Sequence, residues 1–128
     1  MADRVLLMLT ADGRCTETPA EEDVRPDVLA GMLHTDVTER LRLSFVPEHL
    51  KDAALCYFID ARGGEKDLPA NFCGTCFYHT GCPIFGDLVL GLCPASAADE
   101  GAAGIPASDA AVLKAWLKAE FPDFLTII

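Results

Sequence analysis

The run Ala54-Leu55-Cys56-Tyr57-Phe58-Ile59 constrains the fold more than any other stretch of the chain. Successive side chains of a strand point to opposite faces, and here both faces are apolar. Such a strand belongs inside a sheet that is covered on both sides. Asp60-Ala61-Arg62-Gly63-Gly64 ends it in a turn. Upstream, Thr38 to Val46 alternates cleanly, with Leu41, Leu43 and Phe45 on one side and Arg40, Arg42 and Ser44 on the other. That pattern predicts a strand with one face in the core and one face wet, paired with the apolar run as a hairpin.

The other elements fall around this pair. Arg4 to Thr10 reads as a mostly buried strand, and Asp12-Gly13 is a hairpin turn that returns Arg14 to Thr18 beside it. The acidic loop Glu21-Glu22-Asp23 follows. Pro26 suits the first turn of a short helix, in which Val28, Leu29, Met32 and Leu33 are expected to share one buried face. His34 closes that helix as a capping or exposed residue. Phe85 to Leu92 is a further apolar strand, bent at Gly86 and Gly91. Ala95 to Gly104 reads as a surface loop. Ser108 is the expected N-cap of a helix over Asp109 to Phe121, with Val112, Leu113, Trp116, Leu117 and Phe121 inward and Lys114 and Lys118 in water. Pro122 stops it, and Phe124 to Ile128 packs as a last short strand or tail.

The expected architecture is therefore α+β, one compact domain over residues 1–128. A mixed or antiparallel sheet of about five to six strands carries two helices packed against it. The chain has 128 residues, enough to bury a core without staples, and its mean hydropathy of +0.25 fits a packed domain. No apolar run reaches the roughly 18 residues of a membrane span, and Val5 to Leu9 is short for a secretory signal. The cytoplasm is the expected location, no membrane contact is expected, and the six cysteines are expected to be reduced.

Net charge is −10, from 20 acidic and 10 basic residues, which opposes unassisted binding to nucleic acid. The acids are scattered apart from Glu21-Glu22-Asp23, and solubility accounts for most of them. A basic partner, or mimicry of nucleic acid, is the sharper alternative.

Candidate chemistry concentrates between Asp67 and Leu92. Cys73, Cys76, His79 and Cys82 place four possible zinc ligands within ten residues. Structural zinc sites usually join two ligand pairs across a longer loop, so the cluster is cramped. Tolerated thiols are the leading reading, no cofactor is expected, and a small zinc-binding domain is the alternative function. A redox Cys-x-x-Cys would open a helix, and Gly74, Thr75, Phe77 and Tyr78 do not read as a helix start. His34, His49 and His79 offer no evident partner for a nucleophilic cysteine. Asp60, Asp67 and Asp87 read as strand-end turn residues. Arg62-Gly63-Gly64-Glu65 lacks the strand and helix of a phosphate loop. An enzyme is not expected. Arg40 and Arg42, two apart on the wet face, read first as a solvated face balanced by nearby acids such as Glu39; the sharper alternative is that they hold a phosphate, a nucleotide or an acidic partner surface.

Leu68-Pro69-x-Asn71 followed by Ile84-x-Gly86-x-x-x-x-Gly91 resembles a family of small phage- and plasmid-borne proteins of Firmicutes, known only as a domain of unknown function. The resemblance covers most of the chain through short motifs, from Val5 to Leu9 through to Ala107 to Phe121. The family usually carries arginine where this chain has Phe72, and the cysteine cluster is not part of its pattern. What it implies is a setting: a mobile element inside a bacterial host cell. In that setting the expected function is a non-enzymatic binding protein that inhibits a host defence system. It would bind a host protein, or sequester a nucleotide signal as an oligomer. Arg40, Arg42 and Asn71 are its candidate contact residues, and Asn71 has the competing role of holding its own turn.

Overall fold

Alternation along the strands sorts their side chains into two apolar layers, one on each side of a single sheet. The computed structural model describes residues 3–44, 46–52, 54–78, 80, 82–93 and 101–127. Its strands are β1 (Arg4–Leu9), β2 (Arg14–Pro19), β3 (Thr38–Arg42), β4 (Leu55–Asp60), β5 (Leu88–Leu92), β6 (Ile105–Pro106) and β7 (Thr126–Ile127). The helices are α1 (Pro26–Met32), α2 (Phe72–Phe77) and α3 (Ala107–Glu120), and Glu48–Leu50 adds one 3-10 turn. The sheet runs β3-β4-β5-β1-β2-β7, with β6 continuing alongside the start of β1. All pairings are antiparallel except β2 with β7. The α+β expectation and its mixed sheet hold, with one more helix and two very short strands.

The first layer takes the odd positions Val5, Leu7 and Leu9 of β1, Tyr57 and Ile59 of β4, and closes under Leu113 and Leu117 of α3 and Phe77 of α2. The second takes Leu6, Cys56, Phe58 and Val89 and closes under Leu29 and Leu33. β4 is buried along its whole length, as expected of an interior strand with two covered faces.

Four readings are corrected. β3 ends at Arg42, because Ser44 leaves the ladder and bonds through its N–H to the Phe77 carbonyl (2.9 Å); Phe45 lies outside the described residues. Ala102 to Gly104 is not loop: Ala102 exchanges both backbone bonds with Val24, and Ala103 does so with Leu92. Ser108 does not cap α3, which begins two residues earlier than expected, at Ala107 after Pro106, without a side-chain cap. Around that helix, Val112 is 40% exposed, while Lys114 reaches Glu17 across the sheet edge (2.8 Å) rather than standing alone in water. Strand pairing set by long-range contacts overrides such local signals.

The turn after β4 is locked by one buried carboxylate. Asp60 accepts from Thr35 Oγ1 (2.9 Å), the Arg62 N–H (2.8 Å) and Lys66 Nζ (2.6 Å). Burial pushes its pKa up, but the bonds from Lys66, Arg62 and Thr35 outweigh that and hold it below the usual carboxylate range. The folded value lies below the unfolded one. The network therefore contributes fully above the unfolded pKa and is lost as pH falls through the folded pKa. Denaturant melts over an acid series should show the native chain losing stability below about pH 4 more steeply than Asp60→Asn. Equal slopes would contradict the assignment.

Candidate functional site

Asn71 has no exposed surface, and every part of its side chain has a structural partner. Oδ1 accepts the Gly74 N–H (3.1 Å), so Asn71 is the N-cap of α2. Nδ2 donates to the carbonyls of Leu9 and Gly86 (both 3.0 Å), tying the end of β1 to the bend before β5. Its own N–H meets the Ile84 carbonyl at 2.7 Å. As a contact residue for a partner Asn71 is therefore corrected: it organises the fold and touches no solvent.

The helix it caps is a second correction. Cys73 and Cys76 do lie in a helix start, which Gly74, Thr75 and Phe77 were not expected to form. The Asn71 cap, the Thr75 Oγ1 bond to the Asn71 carbonyl (2.9 Å) and close packing on β5 offset the glycine. A Cβ at Gly74 would stand 2.9 Å from Ile84 and 3.0 Å from Leu88, so the backbone can approach only without one. Phe72, half exposed, leans edge-on against Phe121 and Phe124 at 5.8 and 5.5 Å and pins α2 to the end of α3.

The cysteines are divided by burial. Cys73 is inside the first layer, Cys76 and Cys82 are exposed, and His79 lies outside the described residues. Among the described residues no group of three or more His, Cys, Asp or Glu could hold a metal ion. Burial, with the neighbouring Cys76 and Cys15, pushes the Cys73 thiol up to about 12, and burial pushes Cys15 up to about 11. Burial also raises Cys76. These thiols stay protonated at neutral pH, the reverse of what a thiolate nucleophile or a redox pair requires.

Arg40 and Arg42 share one face of β3, opposite Phe58 and Cys56, on the side of the sheet that carries α1. They are neighbours, as expected, and Asn71 is elsewhere. Arg40 is half buried and lines an open cleft of about 980 Å³ between α1 and β3; Arg42 is exposed and lies outside that lining. The same cleft holds Asp27, Asp36 and Glu39. Asp27 is already paired with Arg25, and Glu39 follows the opposite face of β3. Among the described residues Asp36 is therefore the unpaired carboxylate on the Arg40 side of the lining, and it does not favour an anionic ligand there.

On the other flank of α1 lies a second open cleft, of about 600 Å³. Asp3 joins the acidic run Glu21-Glu22-Asp23 around it, and Val28, expected on the buried face of α1, lines it as well. Val28 is in fact 49% exposed and only Leu29 of α1 is fully inside. Consecutive residues on a helix stand about 100° apart, so Val28 and Leu29 cannot both be central on one face. That spacing was the available signal.

Among the described residues no helix is long and apolar enough to cross a membrane. Compared with protein-family models, with curated proteins and with solved structures, the chain matches none.

Replacing Asn71 by alanine should cost about 3 kcal/mol, from a lost cap and two buried carbonyls left without a donor. Asn71→Asp should not rescue it, because a buried carboxylate would face the Leu9 and Gly86 carbonyls. Urea unfolding measures both; a loss under about 0.5 kcal/mol for the alanine variant would mean the node is dispensable.

Proposed function

We propose that this chain is a non-enzymatic binding protein that acts by occupying a protein of its host. The observation that carries the reading is the charge of its two open clefts. Both flank α1, and carboxylates predominate in each. Such surfaces repel nucleotides and nucleic acid and attract a cationic protein surface. Cysteines divided between core and surface add no reason to read the chain as a catalyst.

The setting belongs to the same proposal and rests on the resemblance alone. A phage or other mobile element would use such a protein inside the bacterial cell, blocking a defence component by forming a stoichiometric complex with it. Sequestration of a nucleotide signal is the weaker version. It would depend on Arg40 and Arg42, and the cleft that Arg40 lines also holds the carboxylate of Asp36. The small zinc-binding domain is weaker again, since Cys73 is packed in the core away from solvent while Cys76 and Cys82 are at the surface.

Equilibrium dialysis against nucleoside triphosphates and cyclic dinucleotides separates the two versions. The expected result is no retention by the native chain, and no change in host-protein capture on Arg42→Glu. A retained nucleotide whose binding is abolished by Arg42→Glu would reverse the ranking.

A further inference from the structure

The cleft between α1 and the segment after β2 has an apolar floor and a charged rim. Leu6, Val24, Val28 and Met32 line it, and Asp3, Glu21, Glu22 and Asp23 stand around it. Its volume of about 600 Å³ is that of a site for several side chains. Two arginines also line it, and both are engaged within the chain. Arg4 Nη1 donates to the Gly104 carbonyl (2.9 Å), and Arg25 forms a forked pair with Asp27 (3.0 and 2.6 Å). Among the described residues the four rim carboxylates have no cationic partner.

The wall of this cleft is held in place before anything binds. Val24 exchanges backbone bonds with Ala102 (2.7 and 2.9 Å), the Gly104 N–H donates to the Glu21 carbonyl (2.9 Å), and the Ala20 N–H donates to the Arg4 carbonyl (2.9 Å). Gly104 is required there, because a Cβ would stand 2.7 Å from the Glu21 carbonyl oxygen. A rim fixed by backbone bonds loses little freedom on binding.

We propose that this cleft docks a basic amphipathic segment of a partner protein. One or two apolar side chains would enter over Val28 and Met32, and lysine or arginine would lie across Glu21, Glu22, Asp23 and Asp3. Charge complementarity selects this occupant. Nucleic acid and anionic membranes present the wrong sign, and a second copy of the chain, at net −10, brings more like charge than opposite charge. The proposal rests on the protein-binding reading above and names its site and the chemistry of its partner.

The test titrates a labelled peptide alternating leucine with lysine and arginine into the full chain, followed by backbone amide NMR. Shifts are expected to concentrate between Glu21 and Met32. Affinity should fall about tenfold or more in Glu21→Lys/Glu22→Lys and in Val28→Asp, all exposed positions whose folding is checked by thermal unfolding. A leucine–glutamate peptide should not bind. Shifts centred on β3 or α3, or no shifts at all, overturn the proposal. So does a leucine-free lysine peptide that binds as well and ignores Val28→Asp, since that is diffuse attraction without docking. If the Glu21→Lys/Glu22→Lys chain still holds a stoichiometric host protein, the cleft is wrong and the protein-binding reading stands. If the chain instead holds a nucleotide at Arg42, both fall.

Discussion

The side chain of Asn71 is the constraint on which the rest depends. One amide caps α2, donates to the end of β1, and donates to the bend that leads into β5. Three segments distant in sequence are fixed by bonds that water cannot replace, because the residue is wholly buried. With α2 in place, Phe77 enters the first layer, meeting Tyr57 edge-on at 5.8 Å and stacking near Trp116 at 6.4 Å. The Tyr57 hydroxyl in turn donates to the Gly74 carbonyl at the start of the same helix (3.2 Å). Among the described residues no buried polar side-chain atom is left without a partner. The first face of the sheet is closed and polar-satisfied around this node.

The second face is finished differently. α1 has seven residues and seats only Leu29 fully. It stands as a ridge between two open clefts, with Val28 and Val37 exposed on its flanks. Solvated carboxylates line both clefts. This face also buries a core, beneath Leu29 and Leu33, but the short helix leaves an acidic cleft open on each of its flanks.

How much of this could be read from the chain differs by kind of signal. Continuous apolar runs placed β1 and β4, and β5 from Leu88 onward rather than from Phe85, because a strand covered on both faces has few polar positions; the one period-two pattern placed β3 as far as Arg42. The Asp12-Gly13 turn was equally legible: Gly13 sits at φ +94°, where a side chain would be strained. α2 was not legible, since Phe-Cys-Gly-Thr-Cys-Phe has no helical propensity to speak of and depends on a cap whose other bonds come from residues far away. β6 and the Ala102 bridge were hidden in an alanine-rich stretch, where small side chains carry no period. At the candidate site, adjacency of Arg40 and Arg42 followed from strand geometry. Glu39 precedes Arg40 on the same strand and was legible there; Asp27 of α1 and Asp36 of the turn after it are brought to the cleft only by the packed fold.

Native mass spectrometry of the chain, purified without chelator from its bacterial expression host and then mixed with host lysate, tests the central claim most directly. The account predicts a bare chain, free of nucleotide and metal, that enters a one-to-one complex with a single host protein. That complex should dissociate when Glu21 and Glu22 are reversed in charge. A co-purified nucleotide, or one zinc per chain that is lost on Cys76→Ser, would contradict it.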